Sequence, residues 1–292
     1  MEIGNTPLVR LRGFEKAFHL NSKIYAKLEF LNTFGSIKDR SAKFMIEDAE
    51  SKGLITKKGM IVEASSGNLG VSLAGIATSK GYSCRIYMPN SEKNKKVDLI
   101  RSYGAEVIET PPELGLKFAK SCADEYAKSI QNCFMPNQFE SQSNVNAHAL
   151  TTAPEIDREL KGQVDYIIAG IGSGGTAMGI AQYFINRSTK IIGVEPEYSP
   201  ILREGWSGTH RIYGIGAGFI PHIVKKELLS EIVGVRDEDA YFMQEKLIET
   251  DSIHAGYSSG AVLYAAKILA ERRKKTSNNI VIIFADSIER YK

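Results

Sequence analysis

Short apolar runs alternate with longer segments of helical periodicity along almost the whole chain. The runs are rich in valine and isoleucine and are bounded by glycine, proline or polar residues. That pattern predicts strands over 24–30, 60–64, 83–89, 106–109, 164–170, 190–194 and 279–284. Between them, apolar positions recur at helical spacing over 39–52, 68–80, 92–103, 114–130, 144–160 and 176–186. Such alternation predicts an α/β fold of parallel sheets covered by helices. Glycine-rich strand-to-helix turns occur in both halves, so two domains are expected, each a mostly parallel twisted sheet. One takes residues 35–140 and includes a mobile substrate loop; the other takes 1–34 and 141–292. The irregular stretch 196–221 exceeds the usual connection length and reads as a functional loop.

Composition narrows the class. The 292 residues carry a net charge of +3, too small to argue for nucleic acid or an anionic membrane. The basic block Arg272-Arg273-Lys274-Lys275 falls at a predicted helix end, where cations complement the dipole. Cys84, Cys122 and Cys133 are an odd count without metal-ligand spacing, which suggests free thiols in a reducing compartment. No metal site is expected. Residue 1 leads directly into Gly4-Asn5-Thr6-Pro7 without the pattern of a secretory signal, and no apolar run is long enough to span a membrane, so a cytoplasmic location is expected.

Three segments carry candidate chemistry. In Gly35-Ser36-Ile37-Lys38-Asp39-Arg40, a lysine stands between a glycine turn and a helix. Alone it reads as a surface lysine; partly desolvated, its amine could form a Schiff base. Ser65-Ser66-Gly67-Asn68 lies between a strand and a helix and offers hydroxyls, an amide and free N–H groups to a carboxylate. The plain alternative is that a serine caps the helix. Gly172-Ser173-Gly174-Gly175-Thr176 is a second such loop, suited to an anion. Gly170, Gly172 and Gly175 also fit a dinucleotide fingerprint, with Glu195 as the ribose-binding acid, so an NAD-dependent dehydrogenase is a remote alternative. The five histidines, His148 among them, are scattered and read as structural or solvated.

Those segments occur in one order with Gly4-Asn5-Thr6-Pro7-Leu8-Val9, Gly214-Ile215-Gly216-Ala217-Gly218-Phe219-Ile220-Pro221, Ser258-Ser259-Gly260 and Glu289-Arg290-Tyr291. Together they resemble the cysteine synthase (O-acetylserine sulfhydrylase) and cystathionine β-synthase family, pyridoxal-phosphate enzymes of fold type II. The resemblance runs from Ile3 to Tyr291. It implies a cleft between two domains, with pyridoxal 5′-phosphate joined to Lys38. Asn68 would bond the cofactor's 3′ oxygen, Gly172, Ser173, Gly174, Gly175 and Thr176 would cradle its phosphate, and Ser258 would face its pyridine nitrogen. Ser65, Ser66 and Gln138 would hold the substrate carboxylate, and Gly216 would line the cleft.

The implied reaction is β-replacement: O-acetylserine and sulfide give cysteine and acetate. A serine at the pyridine nitrogen suits a moderate electron sink, enough for α,β-elimination. The sequence departs from the family pattern at Thr33, Ser65 and Leu69. Leu69 stands where a threonine hydroxyl is usual, which opens other pairs: phosphoserine, serine or cysteine as donor, and homocysteine, an amino acid or water as acceptor. The resemblance also implies a homodimer and, as a partner, the C-terminal peptide of serine acetyltransferase.

Overall fold

A computed structural model describes residues 2–90, 95–273 and 276–291. The strands are β1 (Leu8–Arg10), β2 (Lys23–Leu28), β3 (Met60–Ala64), β4 (Ser83–Pro89), β5 (Glu106–Thr110), β6 (Cys133–Phe134), β7 (Tyr166–Gly170), β8 (Lys190–Pro196), β9 (Glu231–Val235) and β10 (Asn279–Phe284). The helices are α1 (Arg12–Ala17), α2 (Lys38–Ser51), α3 (Asn68–Lys80), α4 (Lys95–Ser102), α5 (Gly115–Ser129), α6 (Gln142–Ala147), α7 (Ala153–Glu159), α8 (Gly175–Phe184), α9 (Asp237–Asp251) and α10 (Tyr257–Arg272).

Two sheets result, in the orders β1-β2-β10-β7-β8-β9 and β5-β4-β3-β6. Among the described strands only β1 on β2 is antiparallel; the other strand pairings are parallel. Every predicted strand is present. The larger sheet is buried on both faces, which is why its strands read as continuous apolar runs rather than alternating ones. Along β10, Ile280, Ile282 and Phe284 enter one core with α9 and α10, while Val281 and Ile283 enter another with α8. In the smaller sheet, Ile61 and Ile86 pack against α2 and α3, and Val62 and Tyr87 against α5. No described helix is long and apolar enough to cross a membrane.

The differences from expectation have local causes. The helix expected over 144–160 is three pieces, α6, a π-helical stretch (His148–Thr152) and α7. Pro154 has no amide with which to continue the α ladder through the join. Helix α4 is described from Lys95, so residues 92–94 of the predicted helix lie outside the described residues, as do Lys274 and Lys275 of the basic block. Strands β1, β6 and β9 were not expected. They are short edge strands or, in β9, interrupted by Gly234.

A buried charge network ties the start of the chain to α2 and α7. Arg40, 1% exposed, donates to Glu29 through Nε (2.7 Å) and to Glu155 through a terminal nitrogen (2.7 Å). Lys27 reaches Glu155 at 3.0 Å and Glu159 at 2.9 Å.

Candidate active site

Strands β3, β7 and β10 all end at one cleft of about 510 Å³, the position that open parallel sheets favour for ligands. Of the residues singled out in the sequence, Lys38, Ser65, Ser66, Asn68, Leu69, Gln138, Gly172, Ser173, Gly174, Thr176, Gly216 and Ser258 line it. Gly175 does not. It lies beneath the loop, against the side chain of Asn144, where an added Cβ would come within 2.2 Å of Asn144 Oδ1.

The loop after β7 is shaped by close packing. A Cβ on Gly172 would meet the carbonyl oxygen of Gly214 at 2.5 Å, and one on Gly174, at φ +90°, would meet Val224 at 2.3 Å. Bare backbone therefore faces the cleft at the start of α8, where N–H groups and the helix dipole favour an anion. Thr176 is held from behind: its Oγ1 lies 3.4 Å from Nε2 of His148, and His148 also contacts Ser41 and Thr152. Burial, with the charges of Arg40 and Lys38, holds His148 well below its ordinary pKa, so it is a neutral, hydrogen-bonded core residue.

The loop after β3 is built differently. Ser65 Oγ accepts from the backbone N–H groups of Gly67 (3.2 Å) and Gly70 (3.1 Å). The plain capping role therefore applies to Ser65, and its hydroxyl hydrogen remains available to a ligand. Ser66 is exposed at the rim. Leu69, 1% exposed, is shared between the cleft wall and the core beside Ile86 and Ile100. Asn68 donates from Nδ2 to Asp286 at 2.5 Å, and its Oδ1 is buried without a hydrogen-bond partner.

Lys38 opens α2 and reaches across the cleft, its Nζ 3.4 Å from Ser173 Oγ. Burial lowers its pKa to about 8, against the opposing pull of Asp286. A lysine that loses its proton this readily can attack a carbonyl or take a proton from carbon.

Three groups that sequence reading missed complete the site, and a fourth is buried in β3 outside the cleft lining. Asp286, just past β10 and 1% exposed, accepts from both Asn68 and the Tyr291 hydroxyl. Burial raises its pKa, against those two hydrogen bonds. Lys96 stands 4.0 Å above the Tyr291 ring and is lowered to about 8 by burial. Tyr213 stacks on Tyr291 at 5.4 Å. Glu63, buried in β3, is raised to about 7 by burial, although its carboxyl accepts from the backbone N–H of Ala64 at 2.9 Å. The only signal available in advance was the rarity of a carboxylate inside an apolar strand. Glu195, the acid a dinucleotide ribose would need, is turned away. It is 1% exposed and accepts from the backbone of Leu202 (2.8 Å) and Arg203 (3.0 Å) and from the Arg203 side chain. No group of acids, histidines or cysteines suited to a metal occurs among the described residues.

Pyridoxal phosphate fits these residues. The bared loop at α8 suits its phosphate, the desolvated Lys38 its aldehyde, and the unpartnered Asn68 Oδ1 marks a polar wall made to meet a ligand.

Comparison with known proteins agrees. Residues 1–286 match the family model described as pyridoxal-phosphate dependent enzyme. The chain is 42% identical over 291 residues to cysteine synthase B of Campylobacter jejuni, covering 99% of this chain and 94% of that one. A hydrogen sulfide-producing enzyme from Fusobacterium nucleatum superposes with a TM-score of 0.95 at 39% identity, covering 99% and 97%. An O-acetylserine dependent cystathionine beta-synthase from Helicobacter pylori does so at 0.93 and 38%, covering 99% and 94%.

Proposed function

The chain belongs to the pyridoxal-phosphate dependent enzyme family, and on that premise we propose that it makes cysteine from O-acetylserine and sulfide. The observation that carries this reading is the amine of Lys38, desolvated to a pKa of about 8 inside the cleft and facing the anion-binding loop.

Bound pyridoxal phosphate supplies the electron sink that makes a substrate's Cα proton removable. Gly172, Ser173, Gly174 and Thr176 would hold its phosphate, Asn68 and Ser258 would meet its ring, and Lys38 would join it covalently. Ser65, Ser66 and Gln138 hold the amino-acid carboxylate. Lys38, once released, takes the proton from Cα as acetate departs from Cβ with the bonding electrons. After sulfide adds at Cβ, the same amine returns the proton to Cα. The catalytic residue is Lys38; the loops position and desolvate.

Borohydride reduction followed by peptide mapping should place a pyridoxyl label on Lys38. A label elsewhere, or none, defeats the reading. Lys38→Ala should retain the cofactor weakly while turnover falls by about 10²–10⁴-fold, the usual contribution of a positioned base.

A second reading within the same chemistry is cysteine as donor with release of sulfide, supported by the likeness to the hydrogen sulfide-producing enzyme; Leu69, which puts no hydroxyl in the cleft wall, leaves the donor open. Leu69→Thr should change kcat/KM by about tenfold or less, the worth of one hydrogen bond. Unequal shifts for O-acetylserine, phosphoserine and cysteine would make Leu69 a donor selector; equal shifts would remove it from that role.

Residues 35–140 are proposed as one domain and 1–34 with 141–292 as the other; the membership of the two sheets supports this. We also propose a homodimer and, as a partner, the C-terminal peptide of serine acetyltransferase. Exposed Tyr213, Phe219 and Ile220 on the cleft-lining loop support docking of a peptide there.

A further inference from the structure

The cleft has two binding halves, and one buried side chain joins them. Asn144 lies in α6, is fully buried, and does not line the cleft. Its Nδ2 donates to the backbone carbonyl of Gln138 at 2.8 Å and to Ser173 Oγ at 3.0 Å, which uses both of its N–H groups. Its Oδ1 has no hydrogen-bond partner and packs on Gly175, where any larger residue would displace it. Ser173 Oγ also accepts from Lys38 Nζ, at 3.4 Å. With Asn144 and Lys38 both donating into that oxygen, what the hydroxyl has left is its own O–H, free to point at an anion in the cleft.

We propose that Asn144 is a positioning residue that couples the phosphate-binding loop to the segment holding the substrate carboxylate. It aims the Ser173 hydroxyl and fixes the Gln138 backbone with one amide, so that both ligands are seated in register. When Lys38 leaves Ser173 to join the cofactor, Asn144 alone keeps that hydroxyl turned. The inference rests on the proposed function.

Asn144→Asp keeps the size and the packing on Gly175 but removes both donors. It should raise the Kd of the apoprotein for pyridoxal phosphate and the holoenzyme KM for the amino-acid donor, each about tenfold, the loss of one hydrogen bond apiece; kcat should move far less. Ser173→Ala should raise the Kd alone, and Gln138→Ala the KM alone. Adding Asn144→Asp to Ser173→Ala should weaken cofactor binding no further. Gly175→Ala, which pushes Asn144 aside, should reproduce the double defect. A purely structural Asn144 would instead lower the melting temperature of Asn144→Asp and leave Kd and KM as they were, which overturns the inference. A change in only one of the two constants overturns it as well. Wild-type protein that takes up no pyridoxal phosphate defeats the proposed function itself, whereas a binding wild type beside an unaltered Asn144→Asp defeats this inference alone.

Discussion

The two strand-to-helix loops of the cleft look alike in sequence and are built on opposite plans. The loop after β7 is shaped from outside: Gly214, Val224 and Asn144 press so close that Gly172, Gly174 and Gly175 have no room for a Cβ. The loop after β3 is shaped from within. Ser65 satisfies the N–H groups of its own turn, and a Cβ on Gly67 would meet nothing closer than Lys96 at 3.5 Å. The first plan strips side chains away so that backbone meets an anion directly. The second keeps its side chains, as discrimination among amino acids requires. Glycine density alone therefore does not say what a loop binds; what surrounds the glycines does.

The contrast is open to direct attack. The largest effect is expected at Gly174. Alanine there would adopt φ +90° and collide with Val224, costing at least about 1–3 kcal/mol in strain. Gly67→Ala should stay within about 0.5 kcal/mol. Thermal unfolding of both variants measures the difference, and equal losses would erase the distinction. Next come the serines. Ser65→Ala removes a helix cap and should cost about 1 kcal/mol of stability. Ser173→Ala should leave the melting temperature in place and weaken cofactor binding instead. A further test separates the loops by pH. Glu63 stands on the strand feeding the self-capped loop, and its carboxyl is raised to about 7 by burial. The folded protein then keeps a proton that the unfolded chain loses near its ordinary value of 4.5. Its contribution to stability should fall as pH rises from about 4.5 to about 7 and stay level above that. Glu63→Gln should flatten that part of the stability profile, as chemical denaturation at stepped pH would show.

Much of this was legible in the sequence, for a physical reason. Parallel strands buried on both faces advertise themselves as apolar runs, and a loop that bares its backbone must be glycine. The 172–176 loop was therefore readable as a place for an anion from local pattern, whereas Lys38 and Asn68, which alone read as a surface lysine and part of a plain cap, were singled out by the resemblance of the whole set of segments. Asp286, Lys96 and Asn144 were not, because their roles come from tertiary approach. Asp286 meets Asn68 across 218 positions of chain, and Asn144 meets Ser173 across 29. Helix α9 could have been found: Asp237, Glu238 and Asp239 crowd its first turn, where acids complement the dipole. It was overshadowed by the irregular stretch before it. Gly175 was read as a ligand-facing glycine, and only the position of Asn144 shows that it makes room for an amide.

Arg40 gives Lys38 its mechanical footing. Two residues beyond the lysine, a fully enclosed guanidinium is bolted to Glu29 and Glu155, and between them Asp39 grips the Phe34 N–H at 2.6 Å and the Ser72 hydroxyl at 2.6 Å. Removing one partner of such an enclosed ion pair costs about 3–5 kcal/mol because the other charge is left buried and unpaired, so the three residues hold one another in place. The lysine works as a crane does: the tower is anchored, only the jib swings, and the four methylenes of its side chain set the whole radius over which a proton can be delivered.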